Sequence, residues 1–174
     1  LNLREALAWL CAAEVASKEQ RRLAKMLNYA VLYGVTGFGL AQQLGGGFSV
    51  AEAKALIDQY FERFPKVKSY INAVVGEARS KGFTTTLTGR RRYFPDIHAA
   101  KITERQYAER QAMNAPIQGT AADMLKLAMI RTDERLRGEK TRMLLTVHDE
   151  LVFEVPEDEV APVTTLVRRD MEGV

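Results

Sequence analysis

Leu3, Leu7 and Leu10 recur at helical spacing, so residues 1–17 are predicted to be helical. A second helix is predicted from about Lys18 to Leu32. The glycines of "GVTGFGLAQQLGGGF" then interrupt the pattern, predicting a turn, a short helix from Phe38 to Leu44, and a loop. "SVAE", Ser49 to Glu52, is a capping-box signature, because each side chain can bond a backbone N–H that the first helical turn leaves unpaired. The helix it starts carries Leu56, Ile57, Tyr60, Phe61 and Phe64 on one broad face. Pro65 stops that helix and suits the first turn of the next, which is expected to reach Lys81 before Gly82. "FTTTLTGRRRYF" reads as two short strands joined around Thr88-Gly89. A helix from about Thr103 to Ala115 is expected to bend or break at Pro116, with a further helix over Thr120 to Leu136. In "RMLLTVHDELVFEV" two apolar runs flank His148-Asp149-Glu150, predicting a hairpin with that acidic step near its tip. A last helix follows Pro156. Helix with a minority of antiparallel strand makes the class α+β.

The second helix has two faces. At about 100° per residue, with Arg21 at zero, Lys25 falls near 40°, Tyr29 near 80°, Arg22 near 100° and Tyr33 near 120°. Leu23, Leu27, Ala30 and Val31 fall on the other side. Three cations so close repel one another, by a few tenths of a kcal/mol per i,i+4 pair. A triphosphate reverses that sign, since arginine binds it bidentately and lysine as a point charge. The tyrosines, one and two turns on, are placed to meet a sugar and a base. A solvated basic face with two half-buried tyrosines is the plainer alternative. "LGGGF" lacks the lysine and hydroxyl residue of a phosphate-binding P-loop.

Composition changes this picture little. The 174 residues carry a formal charge of +3 and a pI of about 9.0, which permits a polyanionic partner without demanding one. Hydrophobic residues at 47% and charged residues at 27% are ordinary for a globular protein. A single cysteine, Cys11, cannot form an internal disulfide, so a reducing, cytoplasmic compartment is expected. Two histidines and one cysteine give no zinc-ligand cluster. No apolar run is long enough to span a bilayer, so no membrane partner is expected. With Leu1 first and "MEGV" last, the chain is expected to be a piece of a longer protein.

Three more constellations carry chemistry. A carboxylate held at a hairpin tip, as Asp149 or Glu150 would be, suits a hard cation such as magnesium. Alternation puts these two on opposite sides, and an ordinary polar turn is the plainer reading. Arg110, Asn114 and Gln118 succeed one another at four-residue intervals and share one helix face if Pro116 permits; such side chains reach base edges and sugars. Arg90, Arg91 and Arg92 are candidates for backbone phosphates, or else for the charged protection of an edge strand.

The order of these elements carries more than any one of them. The double-arginine helix ending in Tyr33-Gly34, then "LIDQYFERFPKVKSYI", "TLTGRRRYFPDI", "ERQAMNAPIQGTAAD" and "MLLTVHDELVFEVP", resembles the family-A DNA polymerases from about Glu19 onward. The resemblance implies a right-hand architecture: a divergent segment over 1–20, a fingers-like region over 21–111 and part of the palm over 112–174. It implies template-directed addition of dNTPs to a primer 3′ end by two-metal phosphoryl transfer, with two Mg2+ ions in the complete, monomeric enzyme.

By motif match, Arg21 and Lys25 would bind the triphosphate, with Arg22 nearby in the nucleotide site. Tyr29 would pack on the sugar, Tyr33 would stack at the template position, and Gly34 would permit the turn. Arg110, Asn114 and Gln118 would touch primer–template DNA and His148 the primer end. Asp149 would be the metal ligand and Glu150 its support, these two and Lys25 forming the catalytic group. Tyrosine at position 29 is associated in the family with easier acceptance of dideoxynucleotides. Residues 1–20 lack the family's aspartate–apolar–serine–glutamate motif, so the isolated chain is expected to have little or no activity. A single-subunit RNA polymerase fragment and a non-catalytic nucleic-acid-binding module are the competing readings; "VHDE" rather than histidine-aspartate-serine weighs against the first.

Overall fold

The computed structural model describes residues 18–44 and 47–174, so the helix predicted over residues 1–17 lies outside the described residues. Four helices come first: α1 (Lys18–Leu32), α2 (Gly37–Leu44), α3 (Val50–Arg63) and α4 (Pro65–Lys81). A small hairpin, β1 (Phe83–Thr85) with β2 (Arg91–Tyr93), and a 3-10 turn over Pro95–His98 lead into the long α5 (Ile102–Arg135). A second hairpin, β3 (Arg142–Val147) with β4 (Glu150–Glu154), precedes a 3-10 turn at Glu157–Glu159 and α6 (Val160–Glu172). The α+β class is as expected.

Local chemistry explains the ends of these elements. The end of α1 is a Schellman motif: Val35 N–H donates to the Ala30 carbonyl (2.9 Å) and Gly34 N–H to that of Val31 (3.0 Å). Gly34 stands at φ 69°, the left-handed conformation this motif needs. Thr36 starts α2, its hydroxyl accepting from Gly39 N–H at 3.2 Å. The capping box of α3 is present: Ser49 N–H donates to the Glu52 carboxylate (2.8 Å) and Glu52 N–H to the Ser49 hydroxyl (3.2 Å). The Ser49 backbone donor holds the Glu52 carboxyl below its usual range.

The chain divides into two compact units. The first comprises the described residues up to Thr85 together with Arg91–Pro116. Its cores are the cluster Leu27, Ala30, Val31, Leu40, Ala53 and Tyr60, and a second built of Ala78, Phe94, Ile97, Ala108, Ala112 and Ala115. The second unit comprises Thr86–Arg90 and Ile117–Val174. In it β3 and β4 pair antiparallel from Arg142↔Glu154 to Val147↔Glu150, with an irregularity between Met143 and Leu145. Buried Asp170 of α6 accepts hydrogen bonds from Arg135 and Thr132 of α5, so its charge is paired.

One expectation is corrected. α5 runs unbroken through Pro116 for 34 residues. The proline removes one N–H from the ladder, but Ala108, Ala112 and Ala115, packed with Phe94 and Ile97, hold the preceding turns in place. The acidic step lies at the tip of the second hairpin, as expected: His148 and Asp149 make the connection, and Glu150 pairs with Val147 as the first residue of β4.

Candidate nucleotide and nucleic-acid interface

α1 places its residues as its periodicity requires. Leu27, Ala30 and Val31 are buried, whereas Arg21, Arg22, Lys25, Tyr29 and Tyr33 are exposed. Burial of one face therefore fixes the other toward solvent. Tyr29 and Tyr33, 51% and 45% exposed, have ring centroids 6.2 Å apart and tilted by 32°. The Lys25 ammonium lies 5.8 Å from the Tyr29 ring centroid, a cation–π distance. Among the described residues no carboxylate pairs with Arg21 or Lys25.

One polar residue of α1 does have an internal partner. Tyr60 of α3, 4% exposed, donates its hydroxyl hydrogen bond to Asn28 Oδ1 at 2.9 Å. Burial raises the Tyr60 pKa, so the hydroxyl stays a donor at neutral pH. This pair was missed in the sequence, where Asn28 attracted no notice. The available signal was its position, near −20° on the wheel, between the buried stripe and the cationic sector.

Gly34 brings the end of α1 against α5. A Cβ built on Gly34 would lie 3.1 Å from Arg110 Cγ and 3.2 Å from Met113 Sδ. Arg110, Asn114 and Gln118 do lie on one unbroken helix. Asn114, half-buried, turns its amide N–H back onto the Arg110 carbonyl (2.9 Å). Gln118 is exposed.

The arginine triplet separates. Arg90 is a structural cation: its Nε donates to Asp123 Oδ1 (2.7 Å) and its Nη2 to the Gly119 carbonyl (2.9 Å). Thr88 donates to the same carboxylate at 2.6 Å. The Thr88 hydrogen bond first, then that of Thr86 and the Arg90 charge, hold the Asp123 carboxyl below its usual range against a desolvation that would raise it. Arg90 is thus tied to Asp123 and Gly119, with about half of its side chain exposed. Arg91 and Arg92 are exposed, over the Phe83 ring at 4.8 Å and the Phe94 ring at 5.6 Å. Asp123, 33 residues from Arg90, was not singled out in the sequence.

His148, Asp149 and Glu150 are all exposed at the tip of the second hairpin. His148 has φ 56°, the sole non-glycine with positive φ among the described residues. Left-handed backbone is costly for a side chain other than glycine, and such residues cluster at functional sites. Among the described residues no group of three or more His, Cys, Asp or Glu gathers to hold a metal. Magnesium, however, is ordinarily held by one or two carboxylates together with substrate phosphates and water, so the oxygen donors here fit that ion.

The first unit thus presents a helix with a cationic and aromatic face, and the second unit a hairpin tip with exposed carboxylates. The model for DNA polymerase family A matches residues 5–174, and the chain belongs to that family. It is 53% identical over 154 residues to DNA polymerase I of Streptococcus pneumoniae, covering 87% of this chain and 17% of that protein. The thermostable DNA polymerase I of Thermus aquaticus is 44% identical over 172 residues, covering 98% and 20%. Among solved structures, the POL domain of Pol1 from M. smegmatis, in complex with DNA primer–template and dNTP, superposes with a TM-score of 0.86 at 46% identity. That match covers 90% of this chain and 28% of the other. The chain spans about a fifth of the length of the curated relatives.

Proposed function

We propose that this chain supplies the dNTP-binding helix and a metal-binding carboxylate of a template-directed DNA polymerase. The observation that carries this reading is the exposed face of α1: three cations and two tyrosines in one sector, with Arg21 and Lys25 lacking a carboxylate partner among the described residues. Arg21, Arg22 and Lys25 bind the triphosphate, Tyr29 lies against the sugar, and Tyr33 occupies the template position. In the first unit these residues belong to the fingers; the second hairpin belongs to the palm. Arg110, Asn114 and Gln118 contact primer–template, and His148 the primer end.

Asp149, with Glu150 beside it, would hold Mg2+. When bound, that ion supplies positive charge to the oxygens of the transferring phosphoryl group. The protein's own part is positional: cations along α1 neutralise the triphosphate and hold its tail, and the tyrosines orient sugar and base. The activity belongs to the longer, cytoplasmic and monomeric polypeptide; the isolated chain, with one candidate carboxylate, extends primers weakly or not at all.

Asp149→Asn in the full-length polymerase tests the reading. Primer extension should collapse by at least about a hundredfold while primer–template binding persists. Unimpaired extension would refute the metal assignment. Retention of dNTP binding after Arg21→Ala and Lys25→Ala would refute the nucleotide assignment. Preference for ribonucleotides over deoxynucleotides would point to RNA synthesis instead.

A further inference from the structure

The side chains of the core cluster that seats α1 meet mainly through apolar surface. Leu27, Ala30 and Val31 meet Leu40, Ala53 and Tyr60, and two of these six side chains are single methyl groups. Such contacts resist separation, but they are non-directional and restrain the roll of a helix about its axis only weakly. Roll nevertheless decides where the cations point. Side-chain heads ride roughly 6 Å from the axis, so a 20° roll displaces them by about 2 Å.

The hydrogen bond from Tyr60 to Asn28 is a directional contact at this seam. The Tyr60 ring is held in place by Phe64 at 5.0 Å and, edge-on, by Phe61 at 5.8 Å. Its hydroxyl is thereby presented at a fixed point, 2.9 Å from Asn28 Oδ1. Asn28 follows Lys25 by three residues and precedes Tyr29 by one, at the edge of the cationic sector. Because its Oδ1 accepts from Tyr60, its NH2 group faces away from that hydroxyl.

We propose that Tyr60 is a positioning residue for the nucleotide-binding face of α1, acting through Asn28 to set the roll of the helix. The inference rests on the reading of that face as the triphosphate site. The deep-lying hydroxyl thus governs nucleotide affinity without touching the nucleotide.

The test is Tyr60→Phe in the full-length polymerase, which keeps the packed ring and deletes one oxygen. KM for dNTP should rise about three- to tenfold, the worth of one net hydrogen bond, with kcat and primer–template affinity changed less than about twofold. Asn28→Ala should raise KM similarly, and the double variant no further than the worse single one. Ile57→Val, which trims the same core without touching the hydroxyl, should lower the melting temperature and leave KM unchanged. An unchanged KM in Tyr60→Phe, or a KM raised equally by Ile57→Val, would overturn the positioning role. So would single-variant effects that multiply in the double variant. Lys25→Ala separates the two levels. If it raises KM while Tyr60→Phe does not, only the positioning role falls; if it leaves KM unchanged, the nucleotide reading and this inference fall together.

Discussion

Gly34 and Arg110 are in close contact across α1 and α5: a methyl group added to the glycine would stand 3.1 Å from the arginine Cγ. Gly34 also sits at φ 69°. Gly34→Ala therefore meets two penalties, a left-handed backbone that alanine disfavours by about 1–2 kcal/mol and a contact that the neighbours must yield to. The expected loss is about 2 kcal/mol, or a fall of roughly 4–8 °C in melting temperature for a body of this size. Thermal unfolding of the variant beside the parent measures it, and an unchanged midpoint would show that the turn is not held as described.

What the sequence made legible is what repeats locally. The cationic face of α1, the capping box at Ser49 and the helix break at Pro65 each depend on residues within about two turns of one another. What stayed hidden is what tertiary folding brings together. Tyr60 reaches Asn28 across 32 residues and Arg90 reaches Asp123 across 33, and no period or motif marks either pair. Pro116 misled for a related reason, since packing of the alanines before it outweighs a local preference for breaking the helix.

The Arg90–Asp123 contact gives a prediction in pH. Asp123 ordinarily titrates near 3.8, and its folded value lies lower. A lowered folded pKa means that ionised Asp123 favours the native state at pH above the unfolded value. That contribution is lost as pH falls through the folded value. The stability difference between parent and Asp123→Asn should be flat from about pH 8 to 5 and shrink below about pH 4. Denaturant midpoints at pH 7, 4 and 3 follow it. A gap that widens with acid would contradict the contact.

His148 offers a test of strain kept for function. At φ 56° it occupies backbone that glycine adopts freely. His148→Gly relieves the strain but adds chain entropy to the unfolded state, so stability should change between zero and a gain of about 1 kcal/mol. Primer extension should nonetheless fall, because the imidazole proposed to meet the primer end is gone. Loss of more than about 1 kcal/mol in the unfolding free energy would mean that the ring supports the hairpin. Full activity would mean that it has no part in the reaction.

Tyr29 bears on which sugars are accepted. Its ring is half exposed, 6.2 Å from that of Tyr33 and beside the Lys25 ammonium, on the face proposed to border the space of the nucleotide sugar. A deoxynucleotide brings its own 3′-hydroxyl to that space, whereas a dideoxynucleotide leaves a hydrogen-bonding position empty. The tyrosine hydroxyl can fill that position and phenylalanine cannot. Tyr29→Phe should therefore leave dNTP incorporation nearly unchanged and slow ddNTP incorporation by roughly ten- to a hundredfold, the range for one unsatisfied polar partner. Competition between a dNTP and its dideoxy counterpart on one primer–template reads the ratio directly. Equal discrimination by the two enzymes would remove Tyr29 from the sugar, and with it the direction in which the nucleotide is proposed to lie along α1.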